Sequence, residues 1–408
     1  MSDRRLAVFA FIDAFGWEIL QRNPFLEEEL PHRAPVETVF GYSSTCIPTI
    51  LTGCMPREHG HFSCFYYNPS GSPFGLCRTL SLLPKSVTRR GRVRRYLSKG
   101  LARWYGYDGY FQIYNMPFDK LPYFDYSEKR DLYQPGGIEN GQPTVFDYFR
   151  QTRLPFHLSN WRESETRNLE AAVQDIEAGG VRAVYLYFYE LDAVLHNHGP
   201  EAPQVQEKIA WYEEQLRQLL HTARGRYDEV RLFVFSDHGQ AAITEEADLM
   251  PRVDRLGLRY GQDYAVVWDS TMGRFWFFHD EAREAITEAL NGLDCGAWVD
   301  DATLERWGCD FPDGKYGHAF FLVRPGVLIN PSYMGEVRLA GMHGYTPEDR
   351  DSTAMIASSH PPAVLPRRLD DHYAMMVAEA EWAAGGAGGP APAPPVPAHV
   401  PPRREEAA

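Results

Sequence analysis

The chain has 408 residues and a formal net charge of −14, with 44% hydrophobic and 13% aromatic residues. That length accommodates one large α/β domain with a lid, or two domains. The acidic balance argues against nucleic-acid binding, which depends on neutralising phosphates with Lys and Arg, so no specific nucleic-acid partner is expected.

In chain order, the first element is an apolar run, Leu6–Ile12, that delivers Asp13. A hydroxyl-rich stretch follows, Gly41-Tyr-Ser43-Ser44-Thr45, and Pro48–Thr52 is predicted to open a helix behind Ser43. Helix N-termini present free N–H groups and a favourable dipole to an anion, so a nucleophile there helps hold a phosphate. Residues 62–143 are aromatic and punctuated by Gly and Pro, and read as an irregular insertion over the site.

Within that insertion, Lys85, Arg89, Arg90, Arg92, Arg94, Arg95, Lys99 and Arg103 occur without an intervening acid. If helical, the segment places Val93, Leu97, Leu101 and Trp104 on one side. It then reads as a solvated amphipathic helix, as a contact for an anionic membrane surface, or as an attractor of a polyanionic substrate.

Regular αβ alternation returns at Thr144–Phe149, with a helix predicted around Arg167–Ala178. A second apolar run, Val184–Tyr189, delivers Asp192 and His196, which lie four apart and would share a helix face. Glu201–Leu220 is predicted to be an amphipathic helix burying Val205, Ile209, Tyr212, Leu216 and Leu219. A third run, Arg231–Ser236, delivers Asp237, His238 and Gly239. Strands are predicted at Tyr264–Trp268, Arg274–Phe278 and Gly317–Val323, with a helix over Glu281–Leu290, as an α+β cap over 245–335. His343 follows in Gly341-Met-His-Gly-Tyr345.

Three Asp, three His and a hydroxyl group form a donor set suited to divalent metals, and a metal pair can clamp both oxygens of an in-line displacement at phosphorus. A lone strand-end Asp is usually a turn former or cap, and a lone His a packed side chain. Together the fragments say more, because each polar cluster follows a predicted buried strand, and open α/β sheets place sites at the carboxyl ends of strands.

These residues resemble the alkaline phosphatase superfamily, and within it the type I phosphodiesterase/nucleotide pyrophosphatase branch. The carrying motifs are Phe11-Ile-Asp13, Ser43 with Pro48–Gly53 and Pro56–Gly60, Asp192–Pro200, Ser236–Gly239 and Met342–Tyr345. The resemblance implies a three-layer α/β fold with a largely parallel central sheet. It implies one metal on Asp192, His196 and His343, and a second on Asp13, Asp237, His238 and the nucleophile Ser43. The expected cofactors are two divalent ions, zinc before manganese or magnesium. The expected reaction is hydrolysis of a small-molecule phosphoester through a phosphoseryl intermediate. Asn115-Met-Pro117 resembles an Asn-x-Pro loop near the substrate in some relatives, making Asn115 a candidate substrate contact. Ser44 and Thr45 adjoin Ser43, and His198 is the alternative to His196.

A sulfatase would require Pro and Arg in an x-Pro-x-Arg pattern after the nucleophile, and Ser44-Thr-Cys-Ile47 has neither. A phosphomonoesterase of the same fold is the remaining alternative. A non-catalytic relative is disfavoured because every ligand type is present. The six cysteines form no close pair and read as scattered thiols. Cleavage of Leu6–Ile12 as a signal segment would threaten Asp13, so a cytoplasmic location is expected. The organisation is read as a catalytic domain over 1–384 and a disordered Ala/Gly/Pro-rich tail over 385–408, with the oligomeric state left open.

Overall fold

The computed structural model describes residues 4–84 and 90–385. Lys85 and Arg89 of the basic run, and all but the first residue of the predicted tail, lie outside the described residues.

Six strands form the central sheet: β1 (Arg5–Ile12), β2 (His32–Val36), β3 (Phe156–Leu158), β4 (Ala183–Phe188), β5 (Glu229–Phe235) and β6 (Ala354–Ser358). Their order is β2-β6-β5-β1-β4-β3. β1, β3, β4 and β5 pair in parallel, while β6 runs antiparallel to both β5 and β2. Strands buried on both faces need apolar side chains, which is why the central β1, β4 and β5 read as hydrophobic runs.

Alternation along β1 divides its side chains between two cores. Leu6, Val8, Ala10 and Ile12 pack with the helices Glu165–Ala178 and Pro203–Arg224. Ala7, Phe9 and Phe11 pack with Ser43–Thr52, Val145–Gln151 and Asp371–Ala383 on the opposite face. The expected three-layer α/β arrangement is therefore present. The Pro203–Arg224 helix buries all five residues predicted to form its inner stripe. It begins at Pro203, whose fixed φ and missing N–H suit a first helical position.

A second lobe covers one end of the sheet. Tyr264–Trp268, Met272–Phe277, Ala319–Val323 and Gly296–Val299 form an antiparallel sheet, backed by the Asp280–Leu290 helix. Segment 62–143 shares its core: Phe74, Ile113, Met116 and Phe124 pack with Val266, Trp276 and Phe321. This segment is more regular than the Gly/Pro punctuation implied, since it holds a fifteen-residue helix, Gly91–Tyr105. On that helix Trp104 departs from the predicted apolar stripe and is 79% exposed, whereas Arg94 is buried. Among the described residues no helix is long and apolar enough to cross a membrane.

Candidate active site

Sheet register brings the first two polar clusters together. Phe11 of β1 is level with Phe235 of β5, so Asp13 and Asp237, each two residues further on, emerge side by side. Asp192 lies in the first turn of the Glu190–His198 helix that follows β4, and His196 lies one turn later. His343 is delivered by a short strand, Gly341–Met342, paired with Ala241–Ala242 just beyond His238. The His238 and His343 rings stack at 3.8 Å, joining the clusters.

Two groups of ligand-type atoms result: Asp192, His196 and His343, and Asp13, Asp237 and His238. In the first, Asp192 Oδ1 lies 3.2 Å from His196 Nε2 and 3.6 Å from His343 Nε2. In the second, His238 Nε2 lies 3.2 Å from Asp237 Oδ2 and 3.6 Å from Asp13 Oδ1. The far nitrogens of His196 and His238 are engaged elsewhere. His196 Nδ1 is 2.9 Å from the Gly341 carbonyl, and His238 Nδ1 is 3.0 Å from the Gly239 carbonyl. With Nδ1 donating to those carbonyls, a cation at Nε2 would meet each ring in the tautomer a metal-binding histidine needs.

Ser43 faces the second group, with Oγ 3.1 Å from His238 Nε2 and 3.5 Å from Asp13 Oδ1. Its neighbours turn away: Ser44 Oγ and Thr45 Oγ1 both donate to the Phe62 carbonyl. Contrary to the expectation that Pro48 opens the helix, Ser43 is its first residue and Pro48 lies inside. Pro48, the sixth of its ten residues, lacks the N–H that would bond to the Ser44 carbonyl, so the helix carries one missing backbone bond in its interior. Gly41, at φ 131°, permits the sharp entry, since a Cβ there would lie 2.2 Å from Thr45 Oγ1.

Electrostatically the site is unfinished. Among the described residues, the ion pairs of Asp13, Asp192 and Asp237 are all with histidines. Burial, with the charges of Asp237 and Asp192 adding, raises the Asp13 carboxyl well above the usual range. Burial also pushes Asp237 to about 7, despite the hydrogen bond from the Ala14 N–H. Burial opposes the charges of Asp192 and His196 too, but their mutual attraction wins, lowering Asp192 and raising His196 to about 9. Burial, reinforced by His238, depresses His343. Asp192 Oδ1, Asp237 Oδ2 and His343 Nδ1 are buried without a hydrogen-bond partner. Such an assembly of crowded acids and orphaned acceptors fits divalent cations, which would remove the like-charge penalty.

The structure thus brings together all seven predicted site residues, and His198 is exposed outside both groups. His59 and His61 are buried in structural hydrogen bonds. Asn115 lines the same cavity of about 800 Å³ as Ser43, Asp192 and His343. Four contributors escaped sequence reading. Tyr187 donates to Asp13 Oδ2 at 2.8 Å, Thr38 donates to the Asp237 carbonyl at 2.7 Å, and the Gln240 amide lies 3.0 Å from His196 Nδ1. Glu128 is 7% exposed and lines the cavity, with burial pushing its carboxyl to about 8.

Comparison with known proteins bears on the family and the fold. Residues 8–346 match the family model for type I phosphodiesterase / nucleotide pyrophosphatase. The chain belongs to that family. It is a hydrolase of phosphoric ester or anhydride bonds, of the phosphodiesterase type. Its fold is similar to that of human ectonucleotide pyrophosphatase/phosphodiesterase 5, at TM-score 0.63 and 14% identity over 90% of this chain and 92% of that one. The murine enzyme of the same name matches at 0.63 and 17%, covering 91% and 93%. An inactive murine form in complex with AMP matches at 0.64 and 16%, covering 93% and 95%. No curated protein matches the sequence.

Proposed function

We propose that the chain hydrolyses small phosphodiesters or nucleotide-type anhydrides through a phosphoseryl intermediate on Ser43. The carrying observation is the position of Ser43 Oγ, on the first residue of a helix, within 3.1 Å of His238 and 3.5 Å of Asp13. Asp192, His196 and His343 would hold one divalent cation, and Asp13, Asp237, His238 and Ser43 a second, with zinc favoured by the imidazole and carboxylate donors. Bound there, the ions would supply Lewis acidity toward phosphoryl oxygens and lower the pKa of the serine hydroxyl.

The residues of the chain do the rest. Ser43 Oγ forms a bond to phosphorus as the bond to the leaving oxygen breaks, and water later cleaves the phosphoserine to restore the hydroxyl. Tyr187 fixes the Asp13 carboxylate through its 2.8 Å hydrogen bond. The helix N-terminus favours the anionic phosphoryl group. A cavity of about 800 Å³ leaves room for a second phosphorus substituent, which favours a diester over a monoester. Asn115, in the cavity wall, is a candidate contact for that substituent.

Turnover of a chromogenic diester beside the matching monoester, with elemental analysis of the purified protein, tests the reading. Preferential diester hydrolysis, about two transition-metal ions per chain, and loss of activity with a chelator are the expected results. Preference for the monoester, or full activity without metal, would overturn it.

A further inference from the structure

One surface lies outside the catalytic account. From His59 to Tyr107 the sequence holds no Asp or Glu but nine Lys or Arg residues, in a chain of net charge −14. Within this stretch the Gly91–Tyr105 helix turns Leu97, Leu101 and Tyr105 toward the core of the covering lobe. Its exposed surface presents Arg92, Arg95, Lys99 and Arg103, together with Tyr96 at 74% and, at the edge of the apolar stripe, Trp104 at 79% exposure. Among the described residues none of those four cations is in an ion pair.

The adjoining helical turns, Gly75–Leu82, pack against this helix through Phe74 on Tyr105 and through the Tyr105 hydroxyl on the Pro73 carbonyl. They expose Leu76 and Leu82 at 78% and 87%. Among the described residues, six of the ten exposed large hydrophobic side chains lie between Leu76 and Tyr110, so the exposure is concentrated and not scattered.

We propose that this face docks on an anionic lipid bilayer. A soluble polyanion would be satisfied by the cations alone. Trp, Tyr and Leu side chains standing among them are what the interface of a bilayer accepts, with the aliphatic stems of Arg and Lys lying along the apolar layer and their heads at lipid phosphates. This face would lie along the bilayer surface, and no described helix is long and apolar enough to cross a membrane. It also orients the enzyme, because Gly91 and Arg94 of the same helix line the cavity that holds Ser43. Docking therefore sets a wall of that cavity beside the lipid headgroups.

Flotation of the full-length protein with vesicles of phosphatidylcholine, alone and mixed with phosphatidylglycerol, tests this. Binding is expected on the mixed vesicles and is expected to weaken with added salt. Combining Arg92→Glu, Arg95→Glu and Lys99→Glu should reduce it by on the order of 100-fold or more. The charge-matched set Arg167→Glu, Arg224→Glu and Arg255→Glu, on exposed positions elsewhere, should leave it nearly intact. Tyr96→Ala with Trp104→Ala, which keeps every charge, should weaken binding by about tenfold and serves if the triple reversal does not fold. Equal loss in the control set, unchanged binding in both test variants, or retention on heparin without any vesicle binding would overturn the proposal.

Discussion

The floor and the roof of the cavity are built by opposite means. On the floor, Asp13, Asp192 and Asp237 are fixed by strand ends and by a helix start in defined register, and their crowding calls for cations. On the roof, Asn115, Glu128 and the basic helix belong to a lobe with its own core, and their polar groups look into the cavity or outward without a reaction geometry. On the proposed reading, bond breaking falls to the rigid carboxyl ends of the central strands, and selection and placement of substrate fall to the covering lobe. Substitutions on the floor should change kcat or metal affinity, and substitutions on the roof should change KM or stability.

Ser43→Ala is the largest expected break in the floor. Loss of the nucleophile should reduce kcat on a chromogenic diester by on the order of 10³ or more. Because six other ligand-type groups remain, metal content and Tm should stay close to those of the parent. If the variant keeps near-normal activity while Ser44→Ala or Thr45→Ala loses it, the nucleophile has been placed one or two residues early.

Tyr187→Phe comes next. It deletes only the 2.8 Å hydrogen bond to Asp13 Oδ2, a carboxylate already destabilised by burial and neighbouring acids. Outer partners of metal ligands commonly contribute about 10–100-fold in metal affinity, so competition with a chelator should show a drop of that order. An unchanged metal affinity would mean that Tyr187 merely fills space.

Much of the floor was legible in the sequence because Asp13, Asp192 and Asp237 stand just past apolar runs, where β periodicity stops and a polar residue has to be explained. Tyr187 was hidden for the opposite reason: it lies within such a run, on β4, and reads as one more aromatic core residue. Thr38 and Gln240 act through single hydrogen bonds that no spacing encodes. The three central strands β1, β4 and β5 followed from their hydrophobic runs, whereas the pairing of segment 62–143 with the cap depends on contacts between residues far apart in sequence, such as Phe124 with Trp276. Trp104 was misplaced because helical spacing alone cannot tell which edge of a stripe the neighbouring lobe covers.

On the roof, Glu128 gives a pH test. Its folded-state carboxyl is pushed to about 8 by burial, above the ordinary value of 4.5, so the folded chain keeps a proton that the unfolded chain releases first. Between those values the unfolded state binds fewer protons, and stability must fall as pH rises. The nearby titratable groups Cys64 and Tyr110 are each raised to about 12 by burial and stay neutral across that window. Glu128→Gln should therefore flatten the decline of Tm between pH 4.5 and 8 and leave Tm unchanged below it. A parallel pair of Tm profiles would show that the Glu128 carboxyl reaches solvent.

The smallest effect belongs to Asn115. Its backbone N–H is already committed to the Tyr333 carbonyl at 2.8 Å, so the loop conformation does not depend on the side chain. Asn115→Ala should then remove at most one or two hydrogen bonds to a bound substrate, contributions of about 1 kcal/mol each, and raise KM by up to about thirtyfold. Because the side chain takes no part in bond breaking, kcat at saturation should hold, with the same metal content. A fall in kcat at constant KM would place Asn115 among the groups that act on the transition state, and the division between a reactive floor and a selective roof would have to be redrawn.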